Sequence, residues 1–98
     1  MIKYLLHYKI YSQEHEEWVV LVHGAGGSST IWYKQIRAYR KHFNVLVVDL
    51  RGHGACRIDN SPSTYTLDLV SQDIIEVLDS LNIKKAHFVG VSLGTMLI

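Results

Sequence analysis

Apolar positions in this chain gather into three short runs, and the residues between them repeat with helical spacing. Trp18-Val19-Val20-Leu21-Val22, Val45-Leu46-Val47-Val48 and the segment from Ala86 to Val91 are nearly continuous in apolar character and rich in β-branched residues. A strand needs that composition when helices cover both faces of a parallel sheet, so the three runs predict buried strands. The segment Tyr4 to Tyr11 differs, because aromatic and aliphatic residues alternate there with His7 and Lys9. That alternation predicts a half-exposed edge strand, closed by the polar turn Ser12-Gln13-Glu14-His15-Glu16-Glu17.

Two helices are predicted between the apolar runs. Trp32, Ile36, Tyr39 and Phe43 share one face of the first, with Thr30 as its capping residue and Arg37, Arg40 and Lys41 near its negative end. Thr66 caps the second, Asp68 lies in its first turn, and Leu67, Val70, Ile74, Val77, Leu78 and Leu81 make a continuous apolar stripe that Asn82 ends. From Trp18 onward the order is strand, helix, strand, helix, strand, with a further helix beginning at Leu93. That order predicts an α/β fold with a mostly parallel sheet and helices on both faces.

The composition narrows the classes. At 98 residues, 48% hydrophobic and 19% charged, the chain reads as a folded globular unit. A formal net charge of +1 with scattered basic residues gives no stripe for nucleic acid. Cys56 is the only cysteine, which excludes an intramolecular disulfide and a cysteine-based metal site. His7, His15, His42 and His87 have no metal-ligand spacing and read as surface or strand residues. The N-terminal residues are broken by charge too often for an export signal, and no apolar run reaches membrane-spanning length. The expectation is a cytoplasmic protein with no membrane, nucleic-acid, metal or organic-cofactor partner, acting on a small molecule.

The candidate chemistry lies in the loops that follow the strands. Gly90-Val91-Ser92-Leu93-Gly94 is a G-x-S-x-G turn between a strand and a helix, which forces its central residue into an exposed, strained geometry and uses Gly90 and Gly94 for close packing. Ser92 is therefore the candidate nucleophile. His23-Gly24-Ala25-Gly26-Gly27 leaves the first central strand at the sheet edge where open α/β sheets bind ligands. The backbone N–H groups of Ala25 and Leu93 are the candidate oxyanion donors. His23, Gly24, Asp49 and Gly52 are read as turn residues: histidines in glycine turns more often make structural hydrogen bonds, and an aspartate at a strand end more often accepts backbone N–H bonds. Trp32 reads as core, and Cys56 as an ordinary loop thiol.

Taken together, His23-Gly24-Ala25-Gly26-Gly27, Asp49-Leu50-Arg51-Gly52-His53-Gly54 and Gly90-Val91-Ser92-Leu93-Gly94 resemble the α/β-hydrolase superfamily in order and spacing. The branch most similar is that of the cofactor-free esterases, lactonases and C–C hydrolases. The resemblance implies Ser92 as nucleophile, Ala25 and Leu93 as oxyanion donors, and a catalytic acid and histidine that follow the nucleophile, often with a helical cap. Cys56 stands where such loops often carry serine, and Thr95 where glycine is common. Single α/β domains run to roughly 200–250 residues. The expectation is therefore that residues 1–98 form the N-terminal portion of one domain, nearly inactive alone, with the strand Ala86 to Val91 as an edge prone to self-association.

Two other readings compete. The chain could be a non-catalytic remnant of that fold, binding a ligand or partner through its sheet edge. A dinucleotide-binding module would use Gly24-Ala25-Gly26 and Asp49, but Ser29 stands where close helix packing wants glycine or alanine, and that reading leaves the Ser92 turn unexplained.

Overall fold

The computed structural model describes residues 5–24, 28–51 and 67–91. Four strands form one sheet in the order β1-β3-β2-β4. They are β1 (His7–Tyr11), β2 (Trp18–Val22), β3 (Asn44–Asp49) and β4 (His87–Gly90). β2 pairs in parallel with both β3 and β4, and β1 runs antiparallel to β3. Helix α1 (Tyr33–Tyr39) connects β2 to β3, and helix α2 (Leu67–Ser80) lies between β3 and β4.

Side chains alternate across the sheet, and the two faces make two cores. Val20 and Val22 of β2 and Leu46 and Val48 of β3 pack with Val70, Ile74 and Val77 of α2. Val19, Leu21, Val45 and Val47 face the other way, against Trp32 and Ile36. Every residue of β3 is buried, as a strand flanked on both edges and covered on both faces must be. This is the mixed, mostly parallel α/β sheet that the apolar runs predict.

Three local expectations are corrected. The cap before α1 is Ser28, not Thr30: the Ser28 hydroxyl accepts the Thr30 N–H at the start of a 3₁₀ turn spanning Ser29–Trp32, which puts Thr30 inside the turn. β3 begins at Asn44, whose buried amide donates to the His15 carbonyl at 2.6 Å and accepts the His15 N–H at 2.9 Å. This pins the polar turn before β2 to the start of β3, with His15 Nε2 donating to the Arg40 carbonyl at 3.0 Å. Finally, β4 is not buried like its neighbours. Phe88 is 38% exposed, and Val91, just past the strand, 47%, because among the described residues β4 has a paired strand on one edge only.

Asn82 does end α2, by a mechanism that residue identity suggests. It adopts φ 58°, its N–H donates to the Asp79 carbonyl at 3.1 Å, and the Ile83 N–H donates to the Leu78 carbonyl at 2.9 Å. This is a Schellman C-cap, closed by Ile83 and Leu78 in the same apolar cluster. Asparagine tolerates the left-handed conformation better than other residues with a β-carbon. Thr66, the expected cap of α2, lies outside the described residues.

Candidate active site

The site edge is set by register. Val22, the last residue of β2, pairs with Gly90, the last of β4, and the Val91 N–H still donates to the Val22 carbonyl at 3.3 Å. Adjacent strands lie about 4.8 Å apart. The segments that begin at His23 and at Val91 therefore leave the sheet side by side, at the carboxyl ends of parallel strands. Val22 also pairs with Val48, so Asp49 emerges at that same end on the other side of β2.

His23 is fully buried, and both ring nitrogens have backbone partners. The Leu50 N–H donates to Nε2 at 2.9 Å, so Nε2 carries no proton. The proton is on Nδ1, which lies 2.7 Å from the Gly24 carbonyl and donates to it. The ring thus ties the ends of β2 and β3 together. Replacing it by asparagine keeps a donor near Nδ1 and removes the acceptor for the buried Leu50 N–H. His23→Asn is therefore expected to cost about 1–3 kcal/mol in denaturant unfolding. A folded His23→Asn protein of wild-type stability that had lost all turnover would instead make His23 a catalytic base.

Asp49 is 2% exposed. Its Oδ1 accepts the Ser29 N–H at 2.7 Å, and its Oδ2 lies 3.1 Å from Nδ1 of His7, the residue directly opposite it on β1. One carboxylate therefore joins β1, β3 and the 3₁₀ turn after the glycine loop. Two residues on, Arg51 makes a two-pronged contact with Asp73 of α2, Nε to Oδ2 at 2.7 Å and Nη2 to Oδ1 at 2.9 Å.

Gly24 lies two residues past the end of β2, and Gly90 is the last residue of β4. Ser92, Ala25, Leu93, Gly52 and Gly94 lie outside the described residues, as do His53, Cys56 and Thr95. His7, Arg51 and Asp73 carry interactions at this edge that residue types alone did not single out. Finding them needs the β1–β3 register and the packing of α2, neither of which is visible in a linear pattern. Among the described residues no group of three or more His, Cys, Asp or Glu could hold a metal ion, and no helix is long and apolar enough to cross a membrane.

A doubly covered, mostly parallel sheet with Gly24 and Gly90 at the carboxyl ends of adjacent parallel strands is an α/β scaffold of the kind that binds ligands at that edge. Residues 17–98 match the family model of the alpha/beta hydrolase fold, and the chain belongs to that family. It is 34% identical over 76 residues to 3-oxoadipate enol-lactonase 1 of Acinetobacter baylyi, an alignment covering 78% of this chain and 27% of that protein. It is 31% identical to the putative carbamate hydrolase RutD of Agrobacterium fabrum, over 94% of this chain and 36% of that one. Among solved structures, the enol-lactonase from Burkholderia xenovorans LB400 superposes with a TM-score of 0.87 at 35% identity, covering 94% of this chain and 35% of that one. An epoxide hydrolase from Vigna radiata superposes at 0.85 with 26% identity, over 94% and 30%. The chain thus spans about a third of the length of such relatives. Hydrolases recur among them, and the chain is of a hydrolase family.

Proposed function

We propose that this chain carries the nucleophile and the oxyanion site of a serine hydrolase acting on a carboxylic ester, lactone or carbamate carbonyl. The Ser92 hydroxyl attacks the carbonyl carbon as a general base takes its proton. The charge that develops on the carbonyl oxygen is held by the Ala25 and Leu93 N–H groups. Collapse expels the leaving group and forms an acyl-enzyme, which water then cleaves to release the acid and free Ser92. The general base and its orienting carboxylate belong, in this reading, to the part of the domain that the relatives carry beyond the matched span.

The observation that carries the reading is the pairing of Val22 with Gly90, extended by the Val91 N–H on the Val22 carbonyl. It brings the strand ends that lead into the glycine loop and into the G-x-S-x-G turn out together, which a two-donor oxyanion site requires. The substrate class follows from the relatives named as a lactonase and as a carbamate hydrolase.

The test is covalent trapping. The full-length translation product is incubated with a fluorophosphonate ester, digested, and searched by mass for the adduct. The expected result is one phosphonylated peptide, with the modification on Ser92. An unmodified folded protein, or an adduct on another residue, would sink the proposal.

A further inference from the structure

The glycine loop is anchored on both sides by side chains outside it. At its start, the Gly24 carbonyl accepts from His23 Nδ1, and His23 is itself held by the Leu50 N–H. Just beyond its end, the Ser29 N–H donates to Asp49 Oδ1 at 2.7 Å. Whatever path residues 25–27 take, these two bonds fix the points between which that path must run. The second anchor depends on the orientation of the Asp49 carboxylate.

His7 is one of the groups that hold that orientation. It stands opposite Asp49 in the antiparallel β1–β3 pair, so the two side chains share one face of the sheet. Its Nδ1 lies 3.1 Å from Asp49 Oδ2, and since a carboxylate has no hydrogen to give, Nδ1 donates. The Asp49 side chain is 3% exposed and that of His7 38%, so the pair reaches from solvent into the packed sheet. The two carboxylate oxygens then do different work: one is fixed by β1, and the other fixes the turn after the loop.

We propose that His7 is a positioning residue for the oxyanion loop: its Nδ1–H orients the Asp49 carboxylate, which holds the Ser29 amide and so sets the far end of the segment containing Ala25. This rests on the reading of Ala25 as an oxyanion donor. A catalytic group displaced by about 1 Å can lose up to about 100-fold in rate, so partial loosening of one anchor accounts for about a tenfold loss.

The experiment follows fluorophosphonate labelling rates in the full-length product as wild type, H7F, H7L and H7N. Phenylalanine and leucine fill the edge position without a donor, and two such variants guard against one that fails to fold. Asparagine returns an amide N–H close to the place of Nδ1–H. Labelling is expected to slow about tenfold in H7F and H7L and to recover in H7N. Amide exchange at Ser29 is expected to quicken in the first two variants and to return to the wild-type rate in the third. Wild-type rates in the donorless variants, or an H7N as slow as they are, overturn the role of His7. Absence of any Ser92 adduct in the wild type overturns the hydrolase reading instead, and this proposal with it.

Discussion

Ser92→Ala is expected to lower kcat for ester hydrolysis by about 10⁴–10⁶-fold while leaving KM within a few-fold of wild type. In the proposed mechanism the hydroxyl oxygen is the atom that bonds to the substrate carbon, so its removal takes away an interaction made only on the way to the transition state. Such a drop corresponds to about 5–8 kcal/mol in the barrier. It should exceed the loss from disturbing either backbone donor, since removing one oxyanion contact typically costs about 10²–10³-fold. Steady-state kinetics on a small aryl ester, with wild-type and variant proteins matched for folding by circular dichroism, checks this. A variant retaining a tenth of the wild-type kcat would remove Ser92 from the chemistry and leave the G-x-S-x-G turn as a packing device.

The sheet was legible because its signal is compositional. β2 occupies Trp18–Val22 as its apolar run predicts, since a strand covered on both faces admits little else. The same rule misleads at β4: Ala86 to Val91 has the composition of a buried strand, yet burial depends on neighbours, and here one edge has no paired strand among the described residues. Boundaries depended on polar contacts that composition does not encode. Asn44 joins β3 because its amide reads the His15 backbone, 29 positions earlier.

The same division runs through the site. His23 and Asp49 are visible in a linear reading because they stand at strand ends, where their residue types have short-range hydrogen-bonding habits. The partners that give them their roles are distant: His7 meets Asp49 across 42 positions, and Leu50 meets His23 across 27. A linear pattern carries turn chemistry but not the register of β1 on β3. That is why His7 reads as an ordinary strand residue until the sheet is assembled.

The other large effect is expected at Arg51 and Asp73. Their side chains are 11% and 6% exposed, and the guanidinium meets both carboxylate oxygens, the two-pronged geometry that a lysine cannot reproduce. Arg51→Met keeps most of the aliphatic stem and removes every guanidinium donor, leaving the Asp73 carboxylate, 6% exposed, without the guanidinium. Breaking a buried pair in this way costs about 3–5 kcal/mol, against total stabilities of about 5–15 kcal/mol for single domains. The double variant Arg51→Met/Asp73→Leu, apolar on both sides, should recover to within about 1 kcal/mol of wild type, because the penalty arises from the unpaired charge and not from loss of the pair itself. Urea unfolding of the four proteins in the cycle measures the coupling. A single variant within about 1 kcal/mol of wild type would mean that the pair behaves as a solvated surface bridge. The consequence reaches the site, since Arg51 follows Leu50, whose N–H holds His23: an Arg51 released from α2 loosens the end of β3 against which the glycine loop is anchored.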